Sequence, residues 1–334
     1  MSKSRVYIKE SLIQKLVRHL VFYKDGVFEF SSNKVEFGKE TATMIFKRKF
    51  NLISAETYID FMSKFMSEEL KTITAQYKKH TYISHSKEEK NDKYPIWVCW
   101  LQGEDCMPEI CRNCVDRMRK KLPHNAEIIF LTYENYLSYI DIPEDIVKKH
   151  EEGKISPTNY TDIIRYGLLA TYGGAWVDSA ILFTGDILDR AITYEIFTPK
   201  FHSEKIEDAS RGKWVGGCWF SQYGNILFDF AYDSLVFFWR KHDKAVEYLA
   251  ADYILWTGYT ELEEAKELID SIPFNNENIR LLNNCLYDTY DEQLYYEILR
   301  DNQIHIINRH QNYPIYDKNG KETFYGHLIS RNLE

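Results

Sequence analysis

Residues 156–184 read SPTNYTDIIRYGLLATYGGAWVDSAILFT, and this stretch predicts a helix, a turn and a buried strand in that order. Ser156 can accept hydrogen bonds from the free N–H groups at a helix start, and Pro157 suits the first helical position. Apolar residues then recur at helical spacing until Gly173, where glycine can end the helix at little conformational cost. We expect the apolar run that follows Gly174 to form one strand, covered on both faces.

One carboxylate, Asp178, interrupts the apolar run of the predicted strand. A charge in such a run is costly unless a metal ion, an arginine or an exposed strand end compensates it. Asp162 and Arg165 share the polar face of the preceding helix, so all three side chains could meet where helix and strand fold back on each other. Two carboxylates and a guanidinium suit a cation-bridged diphosphate and the hydroxyls of a sugar. An ordinary helix–turn–strand corner with an Asp–Arg surface pair is the alternative.

The run TDIIRYGLLATYGGAWVDS at residues 161–179 resembles the signature of glycosyltransferase family 32 and its capsular polysaccharide synthesis relatives. Those are sugar-nucleotide glycosyltransferases of the GT-A fold, whose signature is an Asp-x-x-Arg helix, a Gly-Gly turn and a strand that ends in Asp-x-Asp. Four elements of that signature occur here in order and at matching spacing. Where the wider family has the second Asp, this chain has Ala180, close to the Asp-Ala-Thr variant of the capsular branch. Another residue or water would then have to complete the ligands of the metal.

The resemblance implies an enzyme that moves a hexose from a nucleotide-diphosphate sugar, a UDP-sugar above all, to a saccharide or lipid-linked saccharide acceptor. The reaction would belong to capsular or cell-surface polysaccharide synthesis, would retain the anomeric configuration and would depend on Mn²⁺ or Mg²⁺. Asp178, Asp162 and Arg165 are the residues expected to carry the chemistry, and no catalytic nucleophile follows from the resemblance. Two rival interpretations remain open: a non-catalytic sugar- or lipid-carrier-binding protein that lost its second metal acid, and a toxin-like protein glycosyltransferase.

The resemblance also implies where the donor and the metal would bind. Trp100 matches the tryptophan that ends the family's opening strand and lies against the nucleotide base, although a core tryptophan is the alternative. His327, in the run FYGHL, matches a C-terminal segment that can return a polar side chain to the metal, whereas a lone histidine in a tail is more often exposed. The expected metal ligands are therefore Asp178 and His327. The expected donor-binding residues are Trp100, Asp162, Arg165, Gly174, Asp178 and Ser179.

Two further positions carry weaker expectations. A run similar to the Asp-Tyr-aliphatic-Leu sequence at Asp252 lies near the acceptor in capsular relatives, which makes Asp252 a candidate acceptor contact; an exposed helix carboxylate is the alternative. Aromatic loops around Trp100 and Trp219 are expected to keep water from the reaction. The glycines at 216 and 217 either admit a ligand or mark a bulge.

Residues 94–334 alternate predicted strands and helices, which is typical of a mostly parallel sheet with helices on both faces. With the resemblance, the expected fold class is α/β, a GT-A type, Rossmann-like domain preceded by a mainly helical N-terminal subdomain. The ranges expected as strands are 94–101, 126–132, 175–183, 214–220 and 304–307, and a long, aromatic-rich helix is expected at 226–241.

Residues 1–93 form the expected accessory region. Residues 1–90 hold 17 Lys and Arg against 11 Asp and Glu, a net charge of +6 that leaves −14 for the remainder. Amphipathic helices are predicted at 11–23 and 56–77, with a small hairpin around 31–34 between them and a polar linker at 80–92. The apolar stripes could face the core, or the region could lie on the anionic inner leaflet of a membrane.

The composition sets the outer bounds of the interpretation. Apolar residues at 44% and charged residues at 28% are typical of a globular protein, and a net charge of −8 argues against a general nucleic-acid binder. The sequence shows no signal peptide and no run of about 18 apolar residues. Six cysteines in a chain of this length do not form a secreted disulfide framework. We therefore expect a cytoplasmic protein, with association at the inner face of the membrane as a further hypothesis.

Overall fold

The computed structural model describes residues 12–87, 93–201 and 208–330. The chain divides into two compact units, the first ending at Phe65 and the second beginning at Met66, whereas the sequence predicts a boundary after residue 93. The α-helices are α1 (Leu12–Lys49), α2 (Ala55–Glu69), α3 (Lys71–Lys78), α4 (Glu109–Lys120), α5 (Glu144–Glu151), α6 (Pro157–Tyr172), α7 (Ile187–Ala191), α8 (Ile226–Lys241), α9 (Ala250–Glu261), α10 (Glu263–Ser271), α11 (Leu281–Cys285), α12 (Glu292–Asp301) and α13 (Phe324–Ser330). The strands are β1 (Tyr94–Cys99), β2 (Ala126–Leu131), β3 (Gly174–Val177), β4 (Ile181–Phe183), β5 (Ile196–Phe197), β6 (Cys218–Ser221) and β7 (Ile304–Ile306).

The first unit consists of α1 and most of α2. Gly38, with φ 84° and ψ 166°, breaks α1 into two helical arms. The arms lie against each other, because Phe30 meets Phe46 edge-to-face at 5.8 Å and Lys49 Nζ lies 2.5 Å from Glu29 Oε2. The helical character expected for the N-terminal region is therefore present, in the form of a helical hairpin.

The β-hairpin expected around residues 31–34 is wrong, because these residues lie within the first arm of α1. The buried residues Gly26, Asn33 and Phe37 recur at helical spacing. The hairpin was predicted from a short alternation of apolar and polar residues, which the helical pattern overrides. No helix in the described part of the chain, α1 included, is both long enough and apolar enough to cross a bilayer.

The second unit is built on a five-stranded sheet with the order β2-β1-β3-β6-β5. Strand β1 pairs in parallel with both β2 and β3, whereas β6 runs antiparallel to both of its neighbours. Four of the five strands therefore point the same way. This mixed α/β, Rossmann-like architecture confirms the expected fold class.

Helices cover both faces of this sheet. On one face, Trp97, Trp176 and Trp219 lie side by side in register across β1, β3 and β6. The ring centre of Trp219 lies 5.3 Å from that of Phe228 in α8, and Trp219 is fully buried. The expectation that Trp219 lies in a water-excluding loop is therefore wrong. The opposite face packs against α4 through a single apolar cluster, which includes Ile96, Val98, Ala175, Val177, Ile110 and Cys114.

The strand expected at 175–183 is two strands. β3 ends at Val177, and β4 begins at Ile181 in a separate two-stranded sheet with β7. Between them the chain turns, since the N–H of Ile181 donates to the carbonyl oxygen of Asp178 at 2.9 Å. The turn places Asp178 at the carboxyl end of β3, where its charge can leave the apolar interior.

The described part of the expected linker, residues 80–87, is anchored to α8. The backbone N–H of His85 donates to Asp229 Oδ1 at 3.0 Å, and His85 Nε2 lies 2.7 Å from Asp233 Oδ1. Together with α3, which also packs on α8, this segment belongs to the second unit. The rest of the expected linker, 88–92, lies outside the described residues.

Candidate functional site

The corner between α6 and β3 has the local structure that the sequence predicts. Ser156 Oγ accepts a hydrogen bond from the N–H of Asn159 at 3.2 Å, and Gly173 ends the helix with φ 66°. Gly174 begins β3 with φ 84°, and a Cβ atom there would lie 2.4 Å from the carbonyl oxygen of Pro95. Gly174 therefore allows close packing at the amino end of β3, and the structure does not bring it to the cavities beside Asp178 at the other end.

Asp178, Asp162 and Arg165 converge as expected. One guanidinium nitrogen of Arg165, Nη1, lies 3.0 Å from Asp162 Oδ1, and the other, Nη2, lies 3.2 Å from Asp178 Oδ1. The Nε1–H of Trp176 donates to the same Asp178 oxygen at 2.8 Å. The side chains of Asp162 and Arg165 are only 10% and 11% exposed, whereas that of Asp178 is 46% exposed. Asp178 is therefore the most accessible member of the trio.

Burial and charge set the protonation of the trio. Burial by itself would lower the pKa of Arg165, but the neighbouring Asp178 and Asp162 carboxylates raise it, so the guanidinium stays charged. Burial raises the pKa of Asp162 to about 7, against the opposing effect of Arg165 and with further help from Asp252 and Asp178. The site thus joins one permanent cation to a carboxyl group that can carry a proton near neutral pH.

The glycines that precede β6 form the wall beside this trio. The backbone N–H of Asp178 donates to the carbonyl oxygen of Gly217 at 2.8 Å. A Cβ atom on Gly217 would lie 2.2 Å from Asp178 Oδ2, and one on Gly216 would lie 3.4 Å from Asp252 Oδ1. The two glycines therefore make room for carboxylates of the protein itself, on either side of one short segment. Strand β6 begins only at Cys218 because the preceding residues turn past the site.

Two cavities open beside the trio, and Thr158, Arg165, Asp178 and Tyr248 line both of them. The first cavity lies at the carboxyl ends of β1 and β3, where ligands collect in open α/β sheets. Its lining includes Trp100, Arg165, Asp178, Ser179, Ala180 and Arg309. The structure thus brings Trp100 and Ser179 to Asp178, as expected.

The second cavity contains Asp252, which is not the exposed helix carboxylate of the alternative interpretation. The Nε1–H of Trp214 donates to Asp252 Oδ1 at 2.8 Å, and the carboxylate faces the same cavity as Asp162 and Asp178. Burial raises the pKa of Asp252 to about 6, Trp214 and Arg165 oppose this rise, and Asp208 and Asp178 add to it. Four acids, Asp162, Asp178, Asp208 and Asp252, therefore line the second cavity together with Arg165 and Arg280.

The raised pKa of Asp252 makes a testable contribution to stability. The folded state binds the proton of the Asp252 carboxyl more tightly than the unfolded chain does. This difference therefore stabilises the folded state fully below about pH 4, and the stabilisation is lost as the pH rises past 6. In Asp252→Asn the amide replaces the neutral acid and still accepts from Trp214, so we expect a smaller loss of stability between pH 5 and pH 8 than in wild type. Urea unfolding at both pH values measures this difference, and equal losses in the two proteins would contradict it.

His327 lies apart from both cavities. It is buried in α13, where it stacks on Tyr290 at 3.6 Å between ring centres and its Nδ1 lies 3.3 Å from Glu322 Oε2. The residues that line the two cavities do not include His327. The structure therefore does not join this histidine to Asp178, and its surroundings explain its burial through stacking and pairing.

The described ranges hold no group of three or more His, Cys, Asp or Glu side chains arranged to bind a metal ion. Asp178 nevertheless offers one free oxygen: Oδ1 accepts from Arg165 and Trp176, whereas Oδ2 accepts no hydrogen bond from the described residues. Mg²⁺ and Mn²⁺ commonly keep several waters and bind through one or two carboxylates plus substrate phosphates. The residues present therefore fit an ion that binds together with a diphosphate better than an ion held by the protein alone.

One residue of the first cavity, Arg309, was not predicted from the sequence. Arg309, which follows β7, places its guanidinium 5.0 Å from the ring centre of Trp100. The sequence around it, INRHQ, carries no motif, and only the pairing of β7 with β4 brings it beside Asp178. Arg309 could be predicted as a site residue only with knowledge of that long-range pairing.

Comparison with known proteins identifies a family that agrees with the sequence motif at residues 161–179. Residues 41–328 match the model of the family described as capsular polysaccharide synthesis protein. No curated protein matches the chain. The match spans most of the chain and includes the residues that line both cavities. It confirms the predicted resemblance to the capsular family, whereas the resemblance to glycosyltransferase family 32 stays a prediction. The chain therefore belongs to the capsular polysaccharide synthesis protein family.

Proposed function

We propose that this protein is a glycosyltransferase that moves a hexose from a nucleotide-diphosphate sugar to a saccharide or lipid-linked saccharide acceptor. The observation that carries the proposal is the half-exposed Asp178, held by Arg165 at the junction of two cavities at the carboxyl end of β3. Membership of a capsular polysaccharide synthesis family supports the same class of reaction. A GT-A type site, in which one acid of an Asp-x-Asp motif remains, accounts for both.

The first cavity suits the nucleotide-diphosphate part of the donor. The half-buried ring of Trp100 offers a surface on which the base can stack, since aromatic faces bind bases of any identity. Asp178 Oδ2 accepts no hydrogen bond from the described residues, and the side chain is 46% exposed, so this oxygen can take a cation. A Mn²⁺ or Mg²⁺ ion bound there would supply positive charge to the leaving diphosphate.

The sugar of the donor would then lie at the junction, above Arg165. The Arg165 guanidinium donates hydrogen bonds, and the carboxyl groups of Asp162 and Asp178 accept them, so a set of sugar hydroxyls can be oriented in one way only. The second cavity, with Asp252 and the exposed ring of Tyr248, suits an acceptor saccharide, whose apolar face can cover an aromatic ring. In this arrangement the bond between the anomeric carbon and the diphosphate breaks as the acceptor hydroxyl bonds to that carbon on the same face of the sugar, as retention requires. The proton of the hydroxyl passes to the departing diphosphate oxygen.

Hydrolysis of nucleotide sugars tests the proposal without knowledge of the acceptor, because water replaces the acceptor at a slow rate. A panel of UDP-, GDP- and ADP-sugars is incubated with the protein and Mn²⁺, and release of the nucleoside diphosphate is measured. We expect release from at least one donor, and loss of at least 90% of that rate when a chelator removes the divalent ions. A protein that binds a nucleotide sugar by calorimetry but releases nothing, with or without saccharide acceptors, would be a binding protein instead.

A further inference from the structure

The position at which the wider motif has its second acid has a different role in this chain. Ala180 lines the first cavity, and its carbonyl oxygen accepts a hydrogen bond from the N–H of Ile307 at 2.9 Å. This bond extends the antiparallel pairing of β4 with β7. The segment that follows β7 is therefore fixed to the backbone beside Asp178, at the place where a second carboxylate is missing.

Arg309 comes two residues after this attachment and enters the same cavity. Its guanidinium lies over Trp100 at 5.0 Å, a contact that orders the side chain at small energetic cost. No carboxylate in the described parts of the chain forms an ion pair with Arg309, in contrast to Arg165 in the same cavity, which is held by two acids. Arg309 is exposed, so its charge is available to a ligand.

We propose that Arg309 binds the diphosphate of the donor and supplies there part of the positive charge that a motif with two acids would gain from a tightly held divalent ion. The inference rests on the proposed function, since it assigns the diphosphate to the first cavity. A single motif carboxylate holds a divalent ion weakly, because ligand charge sets much of its affinity. A guanidinium offers parallel N–H donors that match two phosphate oxygens, and it needs no metal to do so.

The placement of Arg309 over Trp100 links the two halves of the ligand. The cation–π contact favours a position of the guanidinium beside Trp100 in the first cavity before the ligand arrives, so less side-chain freedom is lost on binding. A ligand with a base and a diphosphate would meet Trp100 and Arg309 together, whereas a nucleoside would meet only the ring. Diphosphate binding should therefore survive removal of divalent ions in this chain, even though turnover does not.

Calorimetry with inorganic pyrophosphate, UDP and uridine tests the proposal in the presence of a chelator and of Mn²⁺. In chelator, we expect Arg309→Met to weaken pyrophosphate and UDP binding by about 10- to 100-fold, the usual range for loss of charged hydrogen bonds, and to leave uridine unchanged. Arg309→Lys should recover part of the loss. Arg300→Met is the matched control, because that exposed arginine pairs with Asp301 and lines neither of the two cavities.

Ala180→Asp provides the reverse change. A second carboxylate beside Asp178 should weaken pyrophosphate binding in chelator and strengthen it in Mn²⁺. Equal affinity of wild type and Arg309→Met for pyrophosphate in chelator would overturn the role of Arg309, as would wild-type binding that vanishes without metal. Neither result would contradict the proposed transferase activity, because that activity is tested by release of nucleoside diphosphate in Mn²⁺. If that release failed while pyrophosphate still bound, the transferase would be rejected and Arg309 would remain an anion-binding residue.

Discussion

Asp178→Asn should lose at least 99% of the Mn²⁺-dependent release of nucleoside diphosphate while the protein remains folded. The substitution keeps the shape of the side chain, and the amide oxygen can still accept from Trp176 and Arg165. It removes the negative charge of the most exposed carboxylate of the trio. Loss of a group that stabilises charge in the transition state typically costs 10²- to 10³-fold in rate.

The folded state should tolerate this change because the Asp178 side chain is 46% exposed. We expect the midpoint of thermal unfolding to stay within a few degrees of wild type, and Mn²⁺ to cease improving the affinity for UDP. Asp186→Asn is the control, an acid whose side chain is 72% exposed and which lies outside both cavities. Full activity in Asp178→Asn, measured with the same donor, would remove Asp178 from the metal site.

The convergence of Asp178, Asp162 and Arg165 could be predicted from the sequence because it is local. A capped helix, a glycine turn and a strand fix the relative positions of side chains that lie within one short stretch, and each of those signals has a physical cause. The mostly parallel sheet was predictable for a similar reason, since the alternation of strands and helices restricts the topology.

The break between β3 and β4 could not be predicted from the apolar run alone. A continuous run of apolar residues fits one long strand as well as two short strands in different sheets, and only the pairing of β4 with β7 distinguishes the two. Arg309 was missed for the same reason, because it reaches Asp178 through that pairing. The two contacts at Gly216 and Gly217 also join distant segments, and glycine in a strand has several meanings.

Asp252 shows the limit of reasoning from exposure. Its position in a helix made an exposed carboxylate the simplest interpretation, yet its partner is Trp214, which precedes β6. Nothing in the sequence near Asp252 indicates that tryptophan. Its raised pKa depends on burial and on Asp208 and Asp178, so it follows from the tertiary structure and not from the local sequence.

Arg165→Met should destabilise the second unit by about 3 kcal/mol or more, because removal of one partner from a buried ion pair leaves the others uncompensated. Arg165 is the cation shared by Asp162 and Asp178, and its side chain is only 11% exposed. Methionine fills a similar volume, so a cavity contributes little to the loss. For a unit of this size we expect the midpoint of thermal unfolding to fall by roughly 6–12 °C.

The dependence of this loss on pH separates charge from packing. Without Arg165, the remaining acids are most costly when ionised, so the destabilisation should be larger at pH 8 than at pH 5, where Asp162 and Asp252, with pKa values of about 7 and 6, carry protons. A packing defect would cost the same at both pH values. Arg240→Met serves as the control, because that exposed arginine pairs with Asp145 at the surface and should change stability by about 0.5 kcal/mol or less. An Arg165→Met protein as stable as wild type at pH 8 would mean that the three acids do not depend on this guanidinium.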